Sequence, residues 1–475
     1  MKNLNYRTEY DALGEVNIPN NAYYGIQTAR AKENFVITKQ PIHKELIKAL
    51  ATVKRAAAHA NMKAELLDIG ISDAIIQACD DIIAGKMDKH FVTDMIQGGA
   101  GTSMHMNINE VIANRAQEIL GYDKGRYDIV HPNDHVNFGQ STNDVVPTSG
   151  KIAVIHLAKR LLNELKKLHR AYLDKANTYI ETIKMGRTHL QDAVPISIGQ
   201  EFGAFAEPLQ RDINRIENAI EELTYINMGA TAVGTGLNAN AIYQKEVLQN
   251  VKKHSKINLK MAGNLIDSTR NLDSFLWLSS ALKTLAVNLS KTANDLRLMS
   301  SGPTTGFNEI NLPQVQAGSS IMPGKVNPVI PEVVNQIAFE VIGNDTSITK
   351  AVEAGQLELN VFEPIIFVNM FSNLDILRRG VKTFREKAIE GITVNADRCV
   401  SYVERSSGVV TALSPHIGYE KSAAIAKEAM RTGKTIRELV IEEGLLSKEE
   451  IEVILNIKNM TKPGIVGHSY LKGKK

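Results

Sequence analysis

The stretch GSSIMPGKVNPVIPEVVNQ, residues 318–336, places glycine, serine and lysine in front of an apolar run. It looks at first like a phosphate loop, because Gly324 and Lys325 follow Gly318 at short range. A phosphate loop has four residues between its first glycine and the Gly-Lys pair, and a Ser or Thr after the lysine. Here five residues intervene, and Val326, which cannot hold magnesium, follows Lys325. The sequence therefore argues against a nucleotide-binding loop at this position.

The composition is that of a globular protein built from aliphatic helices. The chain has 475 residues, of which 43% are hydrophobic, 23% charged and 5% aromatic. This length exceeds what one compact core supports, so several structural lobes are expected. The formal net charge of +3 is small and dispersed, which argues against a nucleic-acid partner.

Cysteine usage and the N-terminal sequence predict a reducing, cytoplasmic location. Cys79 and Cys399 lack the spacing of a zinc site or a redox pair, so we expect buried free thiols. The N-terminus has no apolar core of a signal peptide, and no stretch approaches the ~20 apolar residues of a membrane span. Because no metal-ligand cluster appears, we expect no metal and no cofactor.

Long helices dominate the predicted secondary structure, and strand patterns are nearly absent. Residues 43–67 have helical periodicity, with one stripe formed by Leu46, Leu50, Val53 and Ala57. Residues 151–184 contain neither Pro nor Gly, and residues 275–299 are apolar on more than one face, which predicts burial on several sides. A further helix is predicted to start near Pro331, and Pro364 should kink or end it.

These patterns predict three domains. A mostly helical N-terminal domain covers residues 1–141, a central helical-bundle domain covers 142–395, and a small helical C-terminal domain covers 396–475. In the last domain, the amphipathic units 421–433 and 435–444 each end on a glycine.

Four stretches place small hydroxyl and amide residues beside glycine. They are residues 98–110, 139–144, 184–195 and 318–336. Each is predicted to lie where a loop meets the start of a helix. The first turn of a helix has unpaired N–H groups and a partial positive charge that favours carboxylates. Side-chain donors in these stretches are Thr102, Ser141, Thr142, Asn143, Thr188, Ser320 and Asn327. Together they suit an anion with two carboxylates.

Each of these residues also has a structural explanation. The run 141–143 contains good N-cap residues, and Ser319 with Ser320 could form a simple turn. His189 alone is typical of a hydrogen-bonded structural histidine, and Lys325 alone is typical of a solvated surface lysine. The four stretches taken together favour a ligand site.

The same stretches carry a resemblance to a known family. GSSIMPGKVN, residues 318–327, matches the signature GSSxMPxKxN of the aspartase/fumarase superfamily of lyases. The resemblance runs over essentially the whole chain. GGAGTS (98–103), GQSTND (139–144) and NMGATAVGTGLN (227–238) resemble the ammonia-releasing members more than the class II fumarases. His105 is a departure, since asparagine is expected at that position.

The resemblance implies the reversible conversion of L-aspartate to fumarate and ammonia, without a cofactor. Ser319 would remove the β-proton to form an aci-carboxylate intermediate, and the other implied catalytic residues are His189 and Lys325. The implied substrate-binding residues are Thr102, Ser141, Thr142, Asn143, Thr188, Ser320 and Asn327. Glu332 would be the partner that fixes the His189 tautomer.

The resemblance also implies a mainly α fold of three domains. Central long helices from four subunits would join in one bundle, and three chains would build each active site of the homotetramer. Two alternatives stay open: a class II fumarase acting on malate and fumarate, and a non-catalytic structural relative of the same fold. The intact Ser319, Lys325 and Asn327 argue against the second alternative.

Overall fold

A computed structural model of the chain describes residues 6–471. The chain forms two compact units. The first unit contains the residues up to Asn163 together with Asn214–Ala286 and Phe339–Arg378, and the second contains Glu164–Ile213, Val287–Ala338 and the residues from Arg379 onward.

Helices make up most of the described chain, which confirms the mainly α fold. In chain order they are α1 (Ile26–Asn34), α2 (Lys44–Lys63), α3 (Ile69–Ile83), α4 (Thr102–Ile119), α5 (Thr142–Thr178), α6 (Ile198–Glu222), α7 (Ala241–Ser255), α8 (Leu265–Arg270), α9 (Asp273–Met299), α10 (Val329–Glu353), α11 (Glu363–Lys387), α12 (Ala396–Arg405), α13 (Ser414–Ile417), α14 (Tyr419–Thr432), α15 (Ile436–Glu442) and α16 (Lys448–Ile454).

The strands form two-stranded ribbons only, within residues 6–471. They are β1 (Tyr6–Asp11), β2 (Gly14–Pro19), β3 (Ile183–Thr188), β4 (Gln191–Ser197), β5 (Tyr225–Ile226), β6 (Lys260–Met261), β7 (Ile310–Asn311) and β8 (Thr393–Val394). The pairs β1–β2, β3–β4 and β7–β8 are antiparallel, and β5–β6 is parallel.

Helix α2 shows how an apolar stripe builds the core of the first unit. At its start, the His43 side chain accepts a hydrogen bond from the Glu45 N–H group. Leu46, Leu50 and Val53 are fully buried, and each such burial contributes about 1.5–3 kcal/mol. The stripe predicted from the sequence is therefore confirmed.

Helix α5 starts at Thr142, where the sequence predicted the start of a helix, and continues through Gly150. A Cβ atom at Gly150 would lie 2.2 Å from the Phe367 ring on α11, so the glycine allows these two helices to pack closely. The helix ends at Thr178, and the last residues of the predicted helical stretch belong to β3 instead.

The helix predicted from Pro331 onward is two helices, and the break does not fall at the proline. Helix α10 ends at Glu353, where the Asn360 side chain donates a hydrogen bond of 2.9 Å to the Ala351 carbonyl. Pro364 lies in the first turn of α11, where its missing N–H group leaves no hydrogen bond unmade.

Two hairpins occupy stretches for which no strand was predicted. The hairpin β1–β2 lies near the N-terminus, and β3–β4 covers residues 184–195, where a loop entering a helix was expected. That expectation was wrong. The turn between β3 and β4 contains His189 and Leu190 at positive φ (54° and 60°), a conformation that glycine or asparagine usually adopts in hairpins.

Helices after residue 395 form a small lobe of the second unit around a buried apolar core. Ile183 and Met185 of β3 belong to the same core. Gly433 and Gly444 follow α14 and α15 in left-handed conformations, which confirms the predicted glycine ends. The thiols of the two cysteines are free and buried, as predicted.

The predicted domain limits coincide with helix starts, since α5 begins at Thr142 and α12 at Ala396. The division into three domains stays a prediction. Within residues 6–471, no helix is both long and apolar enough to span a bilayer.

Candidate active site

In the first unit, the starts of α4 and α5 bring together hydroxyl groups predicted to bind substrate. Thr102 Oγ1 donates to the Gly99 carbonyl at 2.7 Å and lies 3.4 Å from Thr142 Oγ1. Ser141 directly precedes α5. We call Thr102, Ser141 and Thr142 the hydroxyl cluster. Its side chains lie at two helix N-termini, where unpaired N–H groups favour an anion.

Ser141 also caps α5, which was its structural explanation. Its Oγ accepts from the Asn143 N–H group at 3.2 Å, and its own N–H donates to Asp144 Oδ1 at 2.9 Å. This exchange over the four residues 141–144 is similar to a capping box. The second oxygen of Asp144 accepts from the N–H groups of Gly229 and Thr231. Asp144 therefore fixes the start of α5 to a second loop.

Asn143 is partly committed to the fold. Its Nδ2 donates to the Ala232 carbonyl at 2.7 Å, and its carbonyl accepts from Asn227 Nδ2 at 3.0 Å. Among the described residues, the side-chain oxygen Oδ1 and the second hydrogen of Nδ2 make no hydrogen bond, so Asn143 can both accept a hydrogen bond from a ligand and donate one.

Lys54 of α2 lies fully buried behind the hydroxyl cluster. Its Nζ donates to Asn137 Oδ1 at 2.8 Å and, at 2.9 Å, to Oε1 of Gln140, the residue before Ser141. Burial lowers the pKa of Lys54 to about 7, while the Asp144 carboxylate opposes that shift. Burial also raises the pKa of Asp144 to about 6. These two groups place titratable charge directly beneath the cluster.

His105, the departure noted in the sequence, contacts the hydroxyl cluster directly. Its Nδ1 lies 2.8 Å from Thr142 Oγ1, and its side chain is buried. Burial, with a smaller effect of the Lys54 charge, holds the pKa of His105 well below its ordinary value. The ring is therefore neutral near neutral pH.

In the second unit, residues 318–325 form what we call the serine loop. The Ser319 N–H group donates to the Lys325 carbonyl at 3.0 Å and ties the ends of the loop together. Ser319 Oγ accepts from the N–H groups of Ile321 and Met322 at 3.4 and 3.2 Å. Gly318 has φ +96°, and a Cβ there would lie 1.9 Å from the Lys325 carbonyl oxygen. Only glycine fits this neck of the loop.

The other predicted residues of this region lie on or just after the serine loop. Ser320 and Lys325 are exposed, and Asn327 is half-buried just before α10. Glu332 lies in the first turn of α10, where its N–H group donates to the Pro328 carbonyl. Within residues 6–471, no hydrogen bond or ion pair joins Glu332 to His189, so the pairing of these two residues stays a prediction.

Thr188 and His189 lie at the tip of the hairpin β3–β4, and both are exposed. The hairpin is anchored by the buried carboxylate of Glu309, which contacts Lys184 Nζ at 2.9 Å and Arg187 Nη1 at 2.6 Å. Lys184 also pairs with Glu201 at 3.0 Å. The ion pairs hold the strand rigidly just before the two predicted site residues.

Sequence reasoning missed the buried groups that support the site. Lys54 carried one signal, because it directly follows Val53 of the apolar stripe and yet is charged. Asp144 carried another, since a serine followed three residues later by an acid indicates a capping box. Glu309 carried none, because its partners are more than a hundred residues away in sequence.

Comparisons with known proteins agree with these motifs. Residues 14–343 match a family model described as Lyase, and residues 409–462 match one described as Fumarase C C-terminus. Aspartate ammonia-lyase of a Bacillus species is 53% identical over 98% of this chain and 99% of its own, and that of Bacillus subtilis is 52% identical over 98% of both.

Solved structures of lyases are also similar to this chain in sequence and in fold. A fumarate lyase/delta crystallin protein from Brucella melitensis bound to cobalt has 47% identity and a TM-score of 0.94, and covers 97% of this chain and 100% of its own. A class II fumarase from Schistosoma mansoni has 35% identity and a TM-score of 0.92, with the same coverage. In residues 6–471, no group of three or more His, Cys, Asp or Glu side chains could hold a metal ion.

The fold, the family models and the similar proteins thus define a lyase. The chain belongs to the aspartase/fumarase superfamily.

Proposed function

We propose that this protein catalyses the reversible deamination of L-aspartate to fumarate and ammonia. Its similarity to aspartate ammonia-lyases extends over about the full length of both partners, at 49% identity even for the enzyme of Helicobacter pylori. The observation that carries the mechanism is the serine loop, in which two backbone N–H groups point at Ser319 Oγ.

Ser319 is the base of the proposed reaction. A serine hydroxyl is weakly acidic, so its alkoxide must be stabilised before it can take a proton from carbon. The N–H groups of Ile321 and Met322 supply that stabilisation, because they donate to the oxygen that bears the charge. The alkoxide removes the β-proton of L-aspartate, and the electron pair moves into the β-carboxylate to form the aci-carboxylate.

The hydroxyl cluster, with Ser320, binds the β-carboxylate. Charge accumulates on this group only as the reaction proceeds, so donors aimed at it lower the barrier rather than merely tightening binding. Lys325 and Asn327 bind the α-carboxylate, and Thr188, His189 and Asn143 orient the amino group. The side-chain oxygen of Asn143, which makes no hydrogen bond within residues 6–471, suits an ammonium group.

The second step breaks the carbon–nitrogen bond. The electron pair of the aci-carboxylate forms the new double bond, and the amino group, already protonated in aspartate, leaves as neutral ammonia. The proton taken from carbon stays on Ser319 until solvent removes it. No strong general acid is required, so His189 binds and orients rather than donating a proton.

The active form is a homotetramer whose sites combine residues of different subunits. Apolar side chains support this assembly: in the first unit, Trp277 on α9 and Phe339 on α10 are 60% and 64% exposed. Large exposed apolar groups on soluble proteins mark interaction surfaces. Light scattering on the purified protein should give four times the chain mass of 52.2 kDa; a monomer would contradict the assembly.

The cytoplasmic location stays a prediction, for which cell fractionation is the test.

The decisive experiment follows fumarate by ultraviolet absorbance in two cuvettes, one with L-aspartate and one with L-malate, without added metal. Fumarate from aspartate alone is the expected result. Fumarate from malate alone would replace the proposal with a class II fumarase, and silence in both cuvettes would favour the non-catalytic relative.

A further inference from the structure

His105 stands one turn into α4, on the same face as Thr102. Its N–H group donates to the Gly101 carbonyl at 3.0 Å, as a regular part of the helix. Its ring is 1% exposed and has one polar neighbour within hydrogen-bond distance among the described residues, namely Thr142 Oγ1 at 2.8 Å from Nδ1. The other ring nitrogen, Nε2, is buried without a partner in that part of the chain.

The neutral ring has one N–H group and one lone pair, so two tautomers are open to it. A proton on Nε2 would bury a donor that has no acceptor. A proton on Nδ1 gives that donor an acceptor in Thr142 Oγ1 and leaves only a lone pair unpaired at Nε2. Unpaired buried N–H donors are rarer in proteins than under-satisfied acceptors. The positive charge of Lys54, which lowers the His105 pKa, also favours a ring without an added proton.

The tautomer determines what the Thr142 hydroxyl offers to a ligand. If Nδ1–H donates to Thr142 Oγ1, the hydroxyl proton of Thr142 is directed elsewhere. Thr102 does not compete for it, because the oxygens of the two threonines are 3.4 Å apart, longer than a good O–H···O bond. The opposite tautomer would draw the Thr142 proton onto the histidine and turn lone pairs toward a bound carboxylate.

We propose that His105 is a positioning residue whose Nδ1–H group donates to Thr142 Oγ1 and so keeps the Thr142 hydroxyl as a donor to the substrate β-carboxylate. This inference rests on the proposed function, because it takes that carboxylate as the ligand of Thr142. It assigns a role to the residue, two positions after the GGAGTS stretch, that departs from the family pattern.

The direct test reads the tautomer without substrate. Solid-state NMR of protein labelled with ¹⁵N in histidine distinguishes a protonated Nδ1 from a protonated Nε2, and His105→Gln identifies the resonance by its loss. We expect a protonated Nδ1. A protonated Nε2 would overturn the proposal, whatever the activity of the protein.

The kinetic test uses His105→Phe, which keeps the ring shape and removes the donor, and Thr142→Val. Each should lower kcat/KM for L-aspartate by about 10- to 100-fold, as expected for one hydrogen bond to a charged group. Because both act through the same hydroxyl, the double variant should lose little more than either single variant. Losses that multiply, or an unchanged kcat/KM in His105→Phe, would contradict the proposal.

His169→Phe on α5 is the matched control, because His169 is partly exposed and lies outside the proposed site. Melting temperatures of all variants show whether any loss reflects unfolding, and His105→Asn, which restores an N–H donor, should recover part of the rate. If the wild-type protein releases no fumarate from L-aspartate, the proposed function fails, while the NMR result still decides the tautomer.

Discussion

The hydroxyl cluster and the serine loop were predicted from the same kind of motif, yet they are held in different ways. In the hydroxyl cluster, buried side chains from α2 and α4 fix the helix start: Lys54 through Gln140, and His105 through Thr142. In the serine loop, the partners of Ser319 within residues 6–471 are backbone groups, and the tip residue Ile321 is 83% exposed. The arrangement of the hydroxyl cluster suits side chains that keep a fixed position, and that of the serine loop suits a side chain that must move.

Removing the basic oxygen from the serine loop should have the largest effect. Ser319→Ala is expected to lower kcat by about 10³-fold or more, because proton abstraction by a positioned base contributes on that scale. The chain should remain folded and assembled, as circular dichroism and light scattering would show. Retained turnover in a folded variant would remove Ser319 as the base.

The neck of the serine loop provides a sharper version of this test. Gly318→Ala places a Cβ against the Lys325 carbonyl oxygen, whereas Gly324, at φ +82°, has open space where a Cβ atom would lie. We therefore expect Gly318→Ala to lower kcat by about 10²-fold, the scale of a small misplacement of a reacting group. Gly324→Ala is the control and should have a much smaller effect. Equal losses would mean that backbone strain, not the neck contact, matters.

Removing the positive charge of the serine loop should have an intermediate effect on kcat/KM. Lys325→Ala should raise KM and lower kcat together, with a combined loss of about 10- to 100-fold in kcat/KM, since a charged hydrogen bond to the α-carboxylate disappears. Lys421→Ala, an exposed lysine on α14, is the control. Unchanged steady-state kinetics in Lys325→Ala would take this lysine out of the site.

Removing the buried lysine that supports the hydroxyl cluster should lower the stability of the folded protein. Lys54→Met leaves the oxygens of Asn137 and Gln140 without their donor, which costs about 1–3 kcal/mol for each buried group. Lys63→Met, at the exposed end of α2, is the control. A melting temperature as high as that of the wild type would show that the buried lysine does not hold the helix start.

The same lysine predicts a pH dependence, the smallest of these effects. Its pKa is about 7 in the folded chain, against 10.5 for an ordinary lysine. Between these values the unfolded chain binds more protons, so the free energy of unfolding rises with pH and falls as the pH drops toward 7. From about pH 7 to about pH 9, the wild type should gain about 2 kcal/mol relative to Lys54→Met. A constant difference would contradict the shifted pKa.

The long helices could be predicted from the sequence because periodic burial is a local signal. The stripe of α2 and the apolar run of α9 each contain their own evidence. The hairpin β3–β4 could not be predicted in this way, since His189 and Leu190 replace the usual Asn-Gly of its turn. The break after α10 was misplaced because Asn360, rather than the proline, caps the helix end.

The residues of the site also divide into those that could be predicted from the sequence and those that could not. Ser319 and Lys325 stand in a motif specific enough to identify from one sequence. Lys54 and Glu309 are buried charges whose partners come from distant parts of the chain. No periodic pattern in the sequence predicts such pairs. Sequence therefore indicates the groups proposed to bind substrate better than the groups that hold them in place.

The anchoring of the β3–β4 hairpin by Glu309 has an evolutionary consequence. One buried carboxylate serves both Lys184 and Arg187, so replacing Glu309 removes this partner from Arg187, while Lys184 keeps its contact with Glu201. Replacing Lys184 or Arg187 alone leaves Glu309 paired with the other cation. Glu309 should therefore vary less among relatives than either cation, and a designer who wishes to re-aim His189 should keep Glu309 in place.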